Sequence, residues 1–268
     1  MKKTRTLILG GGFGGLSAAH TLRKLLPPEH AIALIDRTSA FHVGAAKTWV
    51  MLGDRTPAEA TRERRLLVPK GVDLLEADVQ AIHPERGEIV TSQGTMRGDF
   101  LVIALGADVT MAPVPGLADA ASTFYTLDDA VRLRDRVKAF EGGAIVFLIP
   151  RTPFKCPPAP YEAAFLLHEL LDRRGSRART RISIHSVEPA PMPTAGPEMG
   201  AFIRDLLAER DIAYHPQKQT TRVDPAHRKI LFQDGSEAGF DLLIAIPPHV
   251  APHAVRDALL TDRSGWIP

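Results

Sequence analysis

Apolar residues come in short, regularly spaced runs along this chain. The first, "TLIL" (Thr6 to Leu9), leads into "GGGFGG" and then into "LSAAHTLRKLL", whose apolar residues recur at helical spacing. A second run, "AIALID", ends at Asp36. The pattern predicts strand, tight turn, helix and strand. Further on, "GVDLLEADVQAIHPERGEIVTSQGTMRGDFLVIALGA" alternates apolar and polar positions, with turn signals at Pro84 and Gly94. It predicts short strands, a hairpin, then a buried strand "FLVIAL" closed by a turn at Gly106. "AIVFLIP" (Ala144 to Pro150) predicts another buried strand, followed by a loop and a helix.

The pattern then repeats itself. "IHPERGEIVTSQG" (Ile82 to Gly94) aligns without a gap to "VDPAHRKILFQDG" (Val223 to Gly235). "DFLVIALGA" aligns with "DLLIAIPPH" (Asp241 to His249) after a one-residue insertion. "TLILG" pairs with "AIVFLIP", and "AIALID" with "RISIHSVE". Two amphipathic hairpins can look alike by chance, but the shared x-Pro turn and shared glycine favour a true repeat. The expected fold class is α/β: two Rossmann-like domains, the second inserted into the first and degenerate. The boundary is expected near Ala112, with a first domain from Met1 and a second from Pro113 to Pro268.

Composition narrows the picture a little. At 268 residues, two domains are the natural reading. A hydrophobic content of 44% supports proper cores. The net charge of +2 comes with no basic stripe interleaved with aromatics, which argues against a nucleic-acid partner. A single cysteine excludes an internal disulfide, and the ten scattered histidines give no metal-ligand spacing. No apolar run reaches the ~20 residues of a membrane span. The start "MKKTRTLILGGGFGG" has the outline of a signal peptide, but its glycines fit a nucleotide turn better. A cytoplasmic or membrane-peripheral location is expected.

Gly10, Gly12 and Gly15 match G-x-G-x-x-G between a strand and a helix. The first permits the turn, the second lets a pyrophosphate approach the backbone, and the third lets helix and strand pack closely. The helix N-terminus offers free N–H groups to the phosphates. Asp36 ends the second strand ~20 residues on, where a carboxylate accepts from ribose hydroxyls. It favours unphosphorylated ribose, as in FAD or NAD, although Arg37 follows it. The second copy has "IPRTPFKCPP" where the first has "GGGFGG". Proline has no N–H and its ring blocks close approach, so no nicotinamide cofactor is expected there in the usual way.

These residues resemble the two-dinucleotide-domain flavoproteins. Within them they resemble the sulfide:quinone oxidoreductases and the flavoprotein subunit of flavocytochrome c sulfide dehydrogenase. "GGGFGG" with Asp36 resembles the FAD fingerprint. "DFLVIALGA" resembles the segment packed beside FAD, usually with Thr where Leu105 stands. "TWVMLGDRT" resembles a Pro-Trp-Val stretch of the sulfide:quinone enzymes, and "PFKCPPAPYE" resembles "PFRCPPGPYE" of the flavocytochrome subunit. "SGWIP" resembles the approach to that subunit's final FAD segment. Family members continue for roughly another hundred residues, carrying a second redox cysteine and the quinone- or membrane-facing segments. A further family cysteine aligns near Tyr125 and is missing. Truncation is therefore expected, the chain stopping after a strand–loop unit without a capping element.

The resemblance implies FAD held by Gly10, Gly12, Phe13, Gly14, Gly15, Asp36, Arg37, Val79, Ala104 and Gly106, with Val79 meeting adenine through its backbone. Lys47 would stand near the flavin ring, where a cation stabilises an anionic reduced flavin; a solvated surface lysine is the equal alternative. Cys156 would be catalytic, through a disulfide or persulfide, rather than a small packing residue. Its place before a helix, with Lys155 and Arg151 nearby, predicts a lowered thiol pKa. The implied activity is oxidation of sulfide or a related sulfur species, with electrons passed to quinone or a cytochrome. A homo-oligomer and peripheral membrane attachment through a region outside this chain stay open. The alternatives are an NADH-dependent flavin oxidoreductase and a non-catalytic FAD-binding protein. His42 and His168 are given no role, and "RTPAEATRERR" is expected as a solvated helical face.

Overall fold

The computed structural model describes residues 2–268. Contacts divide the chain into two compact units. The first holds residues 2–42, 61–108 and 250–268; the second holds residues 43–60 and 109–249. The units are therefore not consecutive blocks: 43–60 is an early excursion into the second, and the last residues return to the first.

The first unit is built on a four-stranded sheet ordered Asp73–Glu76, Ala31–Asp36, Arg5–Leu9 and Phe100–Ile103. Every pairing is parallel, with Leu7 opposite Ala33 on one side and Leu101 on the other. Successive side chains leave opposite faces of a strand. Leu7, Leu9, Ala33 and Ile35 pack on one face with Val79, Ile82 and Ile89 of the antiparallel meander Val79–His83, Glu88–Thr91, Gly94–Arg97. Ile8, Ile32 and Leu34 pack on the other with Leu16 and Ala19 of helix Phe13–Leu25. Both faces are covered, so Leu7, Ile8 and Leu9 of the central strand are all fully buried, and each such Leu or Ile contributes roughly 1.5–3 kcal/mol. The strand expected to be buried over "FLVIAL" is only half-buried, and Phe100 is 59% exposed. It lies at the edge of its sheet, where one flank meets no neighbour. The chain does not stop at a bare strand–loop unit: helix His253–Asp257 follows, and Ala254 and Val255 are buried against the meander's core.

The second unit repeats this plan. Its sheet runs Ile212–His215, Thr180–Ser186, Gly143–Ile149, Leu242–Ala245, again all parallel, and its meander is Thr220–Asp224, Lys229–Phe232, Glu237–Gly239. Backbone hydrogen bonds set the correspondence residue by residue. Ala104 N–H donates to Leu9 C=O, and Ile246 N–H donates to Leu148 C=O. Ala77 N–H donates to Asp36 C=O, and Lys218 N–H donates to Ser186 C=O. Ser186 therefore stands where Asp36 stands in the first copy. The helix after the proline loop, Ala159–Arg173, buries Ala163, Ala164, Leu167 and Leu171 into the second unit's core.

Candidate functional site: a glycine turn and a proline–cysteine loop

In the first unit the chain turns sharply after Leu9. Gly10 has φ +99°, a left-handed value that favours glycine. A Cβ on Gly10 would lie 2.3 Å from the Ala104 carbonyl oxygen, and one on Gly15 would lie 1.8 Å from the Gly10 oxygen. A Cβ on Gly12 would meet nothing within 4 Å. Two glycines thus serve close packing, and the middle one leaves open space at the start of helix Phe13–Leu25. Ala104 lies beside Gly14, whose Cβ would come within 3.7 Å of the alanine methyl. Phe13 is 68% exposed and stacks edge-on to Phe41 at 5.2 Å. Gly106 turns the chain at φ +74°.

A cleft opens beside this turn. Gly10, Asp36, Arg37 and Val79 line it together with Leu105 and His253. Asp36 is tightly held. Its Oδ2 accepts from Gly11 N–H at 2.7 Å and its Oδ1 from Thr38 N–H at 3.0 Å. Arg64 pairs with the same carboxylate at 2.9 Å. Arg37, by contrast, is largely exposed and pairs with Asp108 at 3.7 Å.

Arg64 was missed in the sequence. The segment expected as a solvated helical face contains strand Thr61–Glu63 and a 3₁₀ turn, Arg64–Leu67. Arg64 itself is buried. Its guanidinium donates to the carbonyls of Gly11 (2.9 Å), Ala40 (2.8 Å) and Thr38. Guanidinium offers five donors in a fixed fork, and this side chain uses it to tie the glycine turn to the loop after Asp36.

The second unit carries Cys156 and Lys47. Cys156 is exposed and adopts φ +60°, uncommon for a residue with a Cβ. The preceding peptide is clamped. Lys155 N–H donates to His249 Nε2 at 3.3 Å, and Tyr125 O–H donates to Lys155 C=O at 2.8 Å. A backbone N–H can only donate, so Nε2 accepts, and Nδ1 carries the hydrogen given to Pro247 C=O at 2.7 Å. Burial holds the His249 pKa below its ordinary value, and Lys155 and Lys47 add to this. The imidazole is therefore neutral at neutral pH and able to accept. The Lys47 ammonium donates to Tyr125 C=O at 2.6 Å. Its pKa is lowered, by burial first and by Lys155 second.

The thiol departs from expectation. Partial burial pushes the Cys156 pKa up, Glu162 adds to this, and the Ala159 N–H opposes it. Lys155 and Arg151, adjacent in sequence, do not offset the rise, so the expected lowered pKa is overturned. Cys156 is predicted to react with iodoacetamide at neutral pH more slowly than a free thiol. Its rate should climb through a midpoint above the usual ~8.5. A rate already at its plateau at pH 7 would contradict this.

A parallel sheet with a glycine turn after its first strand and an acid ending its second defines a dinucleotide-binding protein. The chain belongs to the pyridine nucleotide-disulphide oxidoreductase family, whose model matches residues 4–146. A second model, for the central part of the sulfide dehydrogenase (flavocytochrome c) flavoprotein chain, matches residues 130–247. Mitochondrial sulfide:quinone oxidoreductase of Mus musculus is 22% identical over 97% of this chain and 60% of its own length. The alternative NAD(P)H-ubiquinone oxidoreductase C1 of Arabidopsis thaliana is 31% identical over 71% of this chain and 40% of its own length. The crystal structure of sulfide:quinone oxidoreductase from Aquifex aeolicus superposes with a TM-score of 0.84 at 23% identity, covering 98% of this chain and 63% of that one. The chain thus spans about three-fifths of the length of such relatives. FAD is the cofactor, and the open space at Gly12 and the anchored Asp36 fit it. Among the described residues no helix is long and apolar enough to cross a membrane.

Proposed function

We propose that the protein oxidises sulfide or a related inorganic sulfur species with FAD and passes the electrons to a quinone or a cytochrome. The observation that carries this reading is the second copy's ligand loop. Prolines stand where the glycine turn would be, and Ser186 stands where the ribose-binding acid would be. The prolines carry no N–H for a dinucleotide's pyrophosphate and their rings hinder its approach, and Ser186 itself brings no carboxylate to a ribose. The loop instead presents Cys156, and the match over residues 130–247 to a sulfide dehydrogenase model supports a sulfur role.

Gly10, Gly12, Gly15, Asp36, Val79 and Ala104 would hold FAD, which when bound supplies a two-electron acceptor. Cys156 would receive the substrate sulfur. Its thiol and a hydrosulfide ion join through a new S–S bond, releasing one proton and two electrons and leaving a persulfide. The Lys155 clamp by His249 and Tyr125 would fix where that sulfur stands, and Lys47 would place a cation in the same unit.

The Arabidopsis relative keeps a second reading in view, in which NADH is the donor. Stopped-flow mixing of the flavin-loaded protein separates the two. Sulfide should bleach the flavin and NADH at micromolar concentration should not. Cys156→Ser should keep FAD and lose sulfide-driven reduction. Rapid bleaching by NADH, or an undiminished rate in the variant, would overturn the proposal.

A further inference from the structure

The cysteine loop is pinned on both sides of Cys156. Downstream, Cys156 C=O accepts from Ala159 N–H at 2.9 Å, at the start of helix Ala159–Arg173. Upstream, the Lys155 peptide is held through its N–H by His249 Nε2 at 3.3 Å and through its C=O by Tyr125 O–H at 2.8 Å. Between these holds Cys156 keeps φ +60°, a left-handed value that a Cβ disfavours. Such a backbone persists only where its surroundings impose it.

One of these holds can be abolished by a proton. Neutral imidazole has a donor on one nitrogen and an acceptor on the other, whereas imidazolium has donors on both. Pro247 C=O takes the Nδ1 hydrogen at 2.7 Å, which leaves Nε2 to accept. A proton on Nε2 sets one N–H against the Lys155 N–H, and that bond is lost. The other two holds survive in acid: the Ala159 bond joins backbone groups, and burial pushes the Tyr125 phenol up from its ordinary value. The His249 ring is 8% exposed. Two cations act on it, Lys155 from the loop and Lys47 from helix Ala46–Leu52, and Tyr125 meets it edge-on at 5.2 Å. The nearby carboxylates act elsewhere, Asp129 of helix Leu127–Ala139 on Lys47 and Glu162 on the thiol.

We infer that His249 is a proton-operated latch on the cysteine loop: neutral, it holds the Lys155 N–H and with it Cys156; protonated, it lets that peptide go. It is a positioning residue, reaching Cys156 through the Lys155 peptide. Its bearing on sulfur chemistry rests on the sulfide reading, while the latch itself rests on hydrogen bonds alone. Burial and the two lysines lower the His249 pKa in the closed loop. Closure is therefore fully favoured above the ordinary imidazole value of ~6.5 and is lost as pH falls through the lower, closed-loop value.

Amide hydrogen exchange of the 268-residue protein, resolved by NMR between about pH 7.5 and about pH 5, tests this. Each rate is divided by that of an unstructured chain at the same pH. Lys155 protection should be level above pH ~6.5 and fall below it, by up to about tenfold per pH unit. Phe147, within strand Gly143–Ile149, should stay level and report an intact sheet. His249→Gln offers an oxygen that accepts and does not titrate, and should remove the slope. His249→Phe keeps a ring without an acceptor, and should lower Lys155 protection at least about tenfold at neutral pH. Level protection of Lys155 in the parent down to about pH 5, a slope that survives in His249→Gln, or parent-like protection in His249→Phe would each overturn the latch. Neither sulfide nor flavin takes part, so failure here leaves the sulfide reading standing, and failure of that reading in stopped flow leaves the latch standing.

Discussion

Gly12→Val leaves the chain folded and abolishes FAD binding. Gly12 sits at φ −78°, which any residue adopts, and its Cβ would enter open space. The fold therefore loses only the difference between a tolerated and a poor helix cap, about 1 kcal/mol. The ligand should lose more, because that open space would be the path of the pyrophosphate, and an isopropyl group would close it. Affinity should fall at least about a hundredfold, or ~2.8 kcal/mol. Gly15→Val should behave in the opposite order. Its Cβ would overlap the Gly10 carbonyl, so the turn itself must move, and overpacking of this kind is destabilising by about 3 kcal/mol or more. Flavin absorbance after incubation with FAD, read beside thermal unfolding, separates them. If Gly12→Val retains stoichiometric flavin, the pyrophosphate does not pass there.

Arg64→Met should strongly destabilise the first unit. Removing one partner of a buried ion pair leaves an uncompensated charge, and the loss is typically about 3–5 kcal/mol. Here the guanidinium also serves the carbonyls of Gly11, Thr38 and Ala40, which would be left without it. A melting temperature about 10 °C lower follows for a chain of this size. Arg64→Lys should not restore it, because one ammonium on a flexible stem cannot reproduce a planar fork. FAD affinity should drop with the stability, since Gly11 and Asp36 are held by the same side chain. A variant that melts within about 2 °C of the parent would show that water replaces the fork without loss.

Local features of this chain were readable from its residues. The glycine turn, the strand ending at Asp36 and the repeated order of elements all rest on short-range spacing, which the backbone must obey. Arg64 was not readable. Its segment carries several charges in a row, and what buries it is a set of acceptors at positions 11, 38 and 40, brought together only by the fold. The Cys156 thiol illustrates the same limit from the other side. Cationic neighbours in sequence predicted a lowered pKa, but desolvation depends on where the loop lies, not on which letters flank it. Residues 43–60 and 250–268 were misplaced for a related reason: periodicity finds an element but does not say which core its apolar face joins.

Asp36 and Ser186 show that one bend can be closed by a charged or by a neutral side chain. In one copy the Thr38 N–H is received by a carboxylate oxygen, and in the other the Glu188 N–H is received by the Ser186 hydroxyl at the same 3.0 Å. An acid at this position has two separable duties, one toward its own chain and one toward a sugar. A hydroxyl performs the first without carrying charge, so the second can lapse while the bend stays closed. The bend therefore constrains only the presence of an acceptor oxygen at this position, and leaves the charge on it free to differ between the two units.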